Sequence, residues 1–439
     1  MQYITSRHAA EDSGQYEHMK DKLSELQDRV AKVQRIQRSA NEMRESEKGP
    51  NSQIKETVGS ERFSGLDFLR AFALLMGVLL HALSMYLEPA DGSEPRPIAG
   101  ILFVWVHTWR MPLFMLLAGF FTSLSLKRRT LWEYTLNRWI RLSVPFLILW
   151  IAIPAVDETA DTIFALPDLV SLLMHHEAPK LRLDHLWFLY YLLIYYSVLA
   201  LANFCFGRYV GWLHLSKLNF SKLLLLWLPL LILLAPHYKP AGGIFAEIPT
   251  QFGDIHTGSL IFLSIFFIMG MQLMNSEQFL SILQKRKFII PVLILFSFVP
   301  IALIGWGIMK DEAFSFDSSI EMWVINGLAT CSTVFLVLAL IGSANRWITG
   351  NGPILNWLVR LSYPIYVFHL IFVYSVGGYL MFAGLNATLV VLISAMAGII
   401  GPTIIYYLFI KRTPLNWVFN GYKHSHFKLK NGATLDRFL

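Results

Sequence analysis

The sequence predicts an all-α fold: a polytopic membrane helix bundle with about ten transmembrane helices and both termini cytoplasmic. Three observations carry this. Of the 439 residues, 55% are hydrophobic and only 15% charged, with a mean hydropathy of +0.48; a soluble chain of this length needs a far more charged surface. Ten segments are long and apolar enough to cross a hydrocarbon layer, which takes about twenty residues each. The loops between them alternate between basic and acidic. Composition also narrows the chemistry. Cys205 and Cys331 lie in or beside apolar segments and make neither a disulfide framework nor a zinc-ligand set, so no metal is expected. The formal charge of +7 follows from membrane topology, so the expected partner is the lipid bilayer and not nucleic acid.

In chain order, residues 1–60 read as a polar cytoplasmic extension. Met19, Leu23, Leu26, Val30 and Val33 keep heptad spacing, which predicts a short amphipathic helix open to self-association. Lys48 to Ser52 then form a break before a membrane domain at 61–412. No cleavable signal peptide is visible in the polar first sixty residues, so the first span is expected to act as an uncleaved anchor. The ten spans fall near 66–88, 99–126, 139–156, 185–204, 221–237, 258–274, 288–309, 322–342, 358–381 and 386–410. The fifth has the shortest charge-free core, Leu223 to Pro236. Phe164 to His176 is too short to cross and is expected as an interfacial or re-entrant helix outside the third span. Residues 413–439 form a basic cytoplasmic tail, and no internal repeat of the transporter kind is visible.

Loop charges give the orientation. One set of alternate loops holds Lys127, Arg128, Arg129, Arg138 and Arg141, then Arg208, Lys217 and Lys222, then Lys285, Arg286 and Lys287, then Arg346. The opposite set is mainly acidic, with Asp91, Glu94, Asp157, Glu158, Glu247, Asp254, Asp311 and Glu312. Cations in those loops, such as Arg96 and Lys180, sit beside acids, and the alternation survives them.

Ionisable residues inside the spans mark a protein interior or a wet cavity, because lipid does not solvate them. They fall into two layers. Arg70, paired with Asp67 at i−3, lies near the cytoplasmic end of the first span, Arg138 and Arg141 at that of the third, and Arg360 at that of the ninth. The positive-inside rule alone accounts for arginines there; phosphate recognition is the sharper reading, since a guanidinium grips phosphate bidentately. The second layer is deeper. Counted by helix rise, His81 lies about 22 Å above the cytoplasmic boundary, Arg110 about 24 Å and His369 about 17–22 Å. Three ionisable groups from three helices at one level argue for a cavity. His107, one turn beyond Arg110, is expected at its mouth, with Asp184, His185 and Trp187 as the rim; an interfacial aromatic belt is the plainer account of that rim.

A histidine near neutral pKa is the usual base for activating a hydroxyl, and a buried arginine stabilises an oxyanion or binds an anionic group. Arginines on the cytoplasmic side suit a nucleotide-tailed donor such as an acyl-coenzyme A (acyl-CoA), available only there. Two other classes stay open: a transporter or flippase for an anionic or glycan-linked solute, and a scaffold recruited through the N-terminal helix.

The motifs resemble those of the membrane acyltransferase-3 family. Arg70 to His81 matches its R-x10-H signature, Arg138-Trp-Ile-Arg141 with Pro145 its R-x-x-R element, and the run from Ser362 through Tyr366 to His369 its late Ser…Tyr…His element. His107-Thr-Trp-Arg110-Met-Pro112 and His185-Leu-Trp187 look most like the glucan biosynthesis protein C (glucan succinyltransferase) branch. The likeness covers about residues 62 to 412, with the motifs in order. It implies a bacterial inner-membrane enzyme moving an acyl group, succinyl or acetyl, from cytoplasmic acyl-CoA to a hydroxyl of an extracytoplasmic carbohydrate. By that resemblance His81 is the catalytic histidine, and Arg70, Arg138 and Arg141 handle the donor; the shared depth adds Arg110 and His369 as catalytic candidates. Ala118 departs from the family, which often has serine there.

Overall fold

The computed structural model describes residues 63–85, 97–152, 183–206, 220–238, 248–309, 319–350 and 352–422, together with Ser425. The chain divides into two units between Phe63 and Ser64, and the second holds the membrane helices. The N-terminal heptad and the Phe164–His176 segment lie outside the described residues.

A segment in lipid must satisfy its own backbone hydrogen bonds, which an isolated apolar run does only as a helix. The helices among the described residues are α1 (Ser64–Ser84), α2 (Pro97–Leu126), α3 (Leu131–Ala152), α4 (Trp187–Phe206), α5 (Phe220–Tyr238) and α6 (Thr257–Leu273). They continue as α7 (Glu277–Leu283), α8 (Arg286–Met309), α9 (Ser319–Trp347), α10 (Pro353–Phe382), α11 (Ala387–Ile405) and α12 (Leu415–Asn420). A 3-10 turn, Asp184–Leu186, leads into α4, and a π-helical turn, Tyr406–Ile410, extends α11.

Each of the ten expected spans overlaps a helix among the described residues. Among the described residues, seven of these helices are long and apolar enough to cross a membrane, or eight if α6 and α7, bent by 106°, make one broken span. The seven are α1, α2, α4, α5, α9, α10 and α11. The other two expected positions hold α3 and α8, helices of 22 and 24 residues that fall outside that set. In α3 the first half carries Glu133, Arg138 and Arg141, which lowers its apolarity.

The bundle has an inner and an outer set of helices. More than half of α1, α2 and α9 is buried, against under a third of α5 and α11. The outer helices turn large apolar chains outward, including Leu225 and Leu226 on α5 and Ile400 and Ile404 on α11. α1 packs against α2, α9, α10 and α11, so its polar residues face protein on several sides.

Helix association in lipid depends on close packing, and small residues permit it. The crossing of α2 and α6 shows this reciprocally. Gly119 of α2 sits against the Phe267 carbonyl, and Gly270 of α6 sits against the Leu116 carbonyl. A Cβ at either position would collide with backbone, which cannot swing aside as a side chain can. Gly270→Val should therefore lower the thermal unfolding temperature of detergent-solubilised protein, with an overpacking cost of about 1–3 kcal/mol. Gly100→Ala, on the same α2 but with open space around its Cβ, should leave it unchanged or slightly raised.

Candidate active site

Helical periodicity lines Asp67, Arg70, Gly77 and His81 along α1. Asp67 Oδ1 lies 3.3 Å from Arg70 Nη2, an ion pair at the helix start. Gly77 and His81 are one turn apart on one face. The absence of a side chain at Gly77 is what admits Arg110: a Cβ there would collide with Arg110 Nη1. The guanidinium of α2 thus lies against α1 one turn below His81. It is 6% exposed, its Nε has no protein partner, and it lies within electrostatic reach of His81, His107, His185 and His369.

His81 faces two other imidazoles. Its ring centroid is 5.2 Å from that of His369 and 6.2 Å from that of His185, and those two are 5.0 Å apart. Tyr374 of α10 closes another side, 6.4 Å from His81. His81 is partly exposed, whereas His185 is 5% and His369 1% exposed. The histidine placed by the sequence at the outer rim, His185, is therefore part of the inner cluster.

The local backbone explains how. Leu183 donates its N–H to the Thr250 carbonyl at 2.8 Å, and Leu186 donates to Leu183 at 2.7 Å, which fixes the 3-10 turn before α4. Tyr366 Oη donates to the His185 carbonyl at 2.7 Å, and His185 Nε2 donates to the Val367 carbonyl at 3.2 Å. One turn of α10 thus grips both the backbone and the ring of His185. The same turn holds His369, whose Nδ1 donates to the Tyr366 carbonyl at 2.7 Å.

The remaining expected outer residues have plainer surroundings. His107 is half-buried and stacked on Phe103 at 5.6 Å, with no protein partner for Nδ1. Trp187 is buried edge-on against Tyr191 at 5.7 Å, in the core and not in an interfacial belt. Ser362, also buried, donates its hydroxyl to the Val359 carbonyl at 2.9 Å. Asp184 lies in the 3-10 turn, and its side chain is outside the described set.

In the arginine layer, Arg141 lies within electrostatic reach of both Arg138 and Arg70. Arg70 also lies over the Phe121 ring at 5.4 Å, and Arg138 over the Tyr134 ring at 5.0 Å. Arg138 Nε is buried without a protein partner. Tyr134 Oη is 2.8 Å from Thr122 Oγ1, and Thr122 is one turn beyond Ala118, so a hydroxyl stands on that face after all. Neither Tyr134 nor Gly77 was singled out by the sequence; the i−4 spacing of Gly77 from His81 was the signal available. Arg141 is partly committed elsewhere. Its Nε and Nη2 donate to the carbonyls of Val418 and Phe419 at 2.9 and 2.8 Å, and its own carbonyl accepts from Tyr363 Oη at 2.7 Å.

Among the described residues no group of histidine, cysteine, aspartate or glutamate side chains is arranged to hold a metal ion. The arrangement joins three imidazoles, a buried guanidinium beside them, and a separate layer of guanidiniums from Arg70, Arg138 and Arg141. Arg141→Ala should free α12, since a hydrogen bond from a charged donor contributes about 1.5–3 kcal/mol. Limited proteolysis should then cut within residues 412–422 faster than in the wild type.

A family model described as an acyltransferase domain matches residues 63–407, which takes in α1 through α11 and both polar layers. No curated protein and no solved structure matches the chain. Matched over most of its length by that model, and built from apolar helices of membrane length, the chain belongs to the acyltransferase-3 family and is a multi-pass membrane acyltransferase.

Proposed function

We propose that the protein moves an acyl group, succinyl or acetyl, from cytoplasmic acyl-CoA to a hydroxyl of an extracytoplasmic carbohydrate, with periplasmic glucan as the sharpest version. The proposed setting is a bacterial inner membrane with both termini cytoplasmic, as loop charges favour. The single observation that carries the reading is the meeting of His81 with Arg110 and the two further imidazoles inside the helix bundle.

In this reading Arg70, Arg138 and the free Nη1 of Arg141 hold the donor's phosphates, which relieves the mutual repulsion of the three cations. The thioester reaches the level of His81. His81 takes the proton of the acceptor hydroxyl, whose oxygen attacks the thioester carbonyl. Arg110 stabilises the oxyanion that forms, or pairs with the free carboxylate of a succinyl group. The C–S bond then breaks, and the thiolate leaves with the proton from His81 as free coenzyme A. Bonds and charges balance without a metal or redox partner.

His81→Ala should lower release of coenzyme A from succinyl-CoA, with a glucan oligosaccharide as acceptor, by about 10²–10⁴-fold, the usual contribution of a positioned base. No release by the wild-type protein from succinyl- or acetyl-CoA would overturn the reading in favour of a transporter. Arg110→Gln distinguishes the two roles of that guanidinium. An equal fall of about 10²-fold for both donors marks the oxyanion role, and a selective fall for succinyl marks carboxylate recognition.

A further inference from the structure

Two bonds in the histidine cluster fix where its protons are. A carbonyl oxygen only accepts hydrogen bonds, so the imidazole nitrogen facing it carries the proton. His369 Nδ1 faces the Tyr366 carbonyl at 2.7 Å, which leaves the neutral ring with a bare lone pair at Nε2. His185 Nε2 faces the Val367 carbonyl at 3.2 Å, which leaves its lone pair at Nδ1. Neither His369 Nε2 nor His185 Nδ1 has a protein partner, and both rings are more than nine-tenths buried. Buried acceptors are ordinarily satisfied, so two bare ones side by side call for a donor.

His81 is that donor by position. It is the most exposed of the three residues, and its ring centroid is 5.2 Å from that of His369. That separation leaves room for one hydrogen bond between facing ring nitrogens, whose usual length is about 2.9 Å. We infer that His369 is a positioning residue: α10 locks it as a hydrogen-bond acceptor, and its Nε2 receives the N–H of His81 when His81 takes up the acceptor's proton. His185 is the back-up acceptor, locked in the opposite tautomer by the next carbonyl of the same turn. The inference rests on the proposed function for its kinetics, and on geometry alone for the tautomers.

In the proton step, the acceptor O–H bond breaks and an N–H bond forms on the outward nitrogen of His81. The inward N–H of the resulting imidazolium stays covalently on His81 and is donated to His369 Nε2. Without that acceptor, the inward N–H of a protonated His81 would be left with only the more distant His185 ring, 6.2 Å away between centroids, to receive it.

Nitrogen NMR of the full-length protein, labelled at histidine and held in lipid bilayers, reads the tautomers directly. His369, assigned by comparison with His369→Gln, should show a protonated Nδ1 and a bare Nε2, the rarer tautomer of free histidine. His185 should show the reverse. A protonated Nε2 on neutral His369 overturns the inference whatever the enzyme's activity. In the coenzyme A release assay, His369→Phe should lower kcat about 100-fold with the KM for succinyl-CoA unchanged. His369→Gln, whose side-chain oxygen accepts at the same place, should restore most of the rate. Wild-type turnover in His369→Phe overturns the positioning role, as does a His369→Gln protein that unfolds like the wild type yet is as slow as His369→Phe. Absence of turnover in the wild type would instead strike the proposed function, leaving the NMR result to decide the tautomers.

Discussion

One turn of α10 governs the interior. The carbonyls of Tyr366 and Val367 each take an imidazole N–H, and the hydroxyl of Tyr366 holds the backbone of His185. Inside a membrane bundle water is scarce, so polar groups must find partners on the protein or lie against a wet cavity. Backbone carbonyls serve well here because a helix places them at fixed positions and each has a second lone pair beyond its helical bond. Two of the three clustered histidines, His185 from the 3-10 turn and His369 from α10, are thereby oriented by backbone carbonyls and not by charged side chains. The guanidinium of Arg110 comes close to the cluster through the gap at Gly77 and not through a hydrogen bond to the rings.

The two polar layers differ in how they are held, and the difference fits their chemistry. The histidine layer is fixed by neutral carbonyls and aromatic edges, leaving nitrogens able to exchange protons. The arginine layer is fixed by ring faces, by Asp67 and by the carbonyls of α12. A fixed excess of cations within a few turns of the membrane surface is costly unless an anion shares it. The proposed donor, with its several phosphates, would meet that need.

Much of this architecture was legible in the sequence because a bilayer imposes simple rules. About twenty apolar residues must become a helix, and Arg70 and His81, eleven apart, must share its face. The shared depth of His81 and His369 followed from helix rise alone. What the sequence did not show lies in contacts between distant segments. His185 precedes α4 and looked like rim; only the bond from Leu183 to Thr250 and the grip of Tyr366 turn it inward. Arg141 meets Val418 and Phe419, some 277 positions away, and nothing periodic announces such a contact. At α2 the sequence drew attention to the missing hydroxyl at Ala118. The neighbouring Gly119 has the stronger structural duty, and a glycine reveals its purpose only once the opposing carbonyl is in view.

The interlocked glycines of α2 and α6 also bear on how such a protein works across two compartments. Where backbone meets backbone on both partners, no flexible chain lies between them to let one helix slide past the other. α2 carries Arg110, so the guanidinium beside the histidine cluster is anchored to this seam. A carrier that rocks its halves to swap openings would have to break the seam in each cycle. A stationary partition, approached by one reagent from each side and crossed only by the small group exchanged between them, can leave it intact.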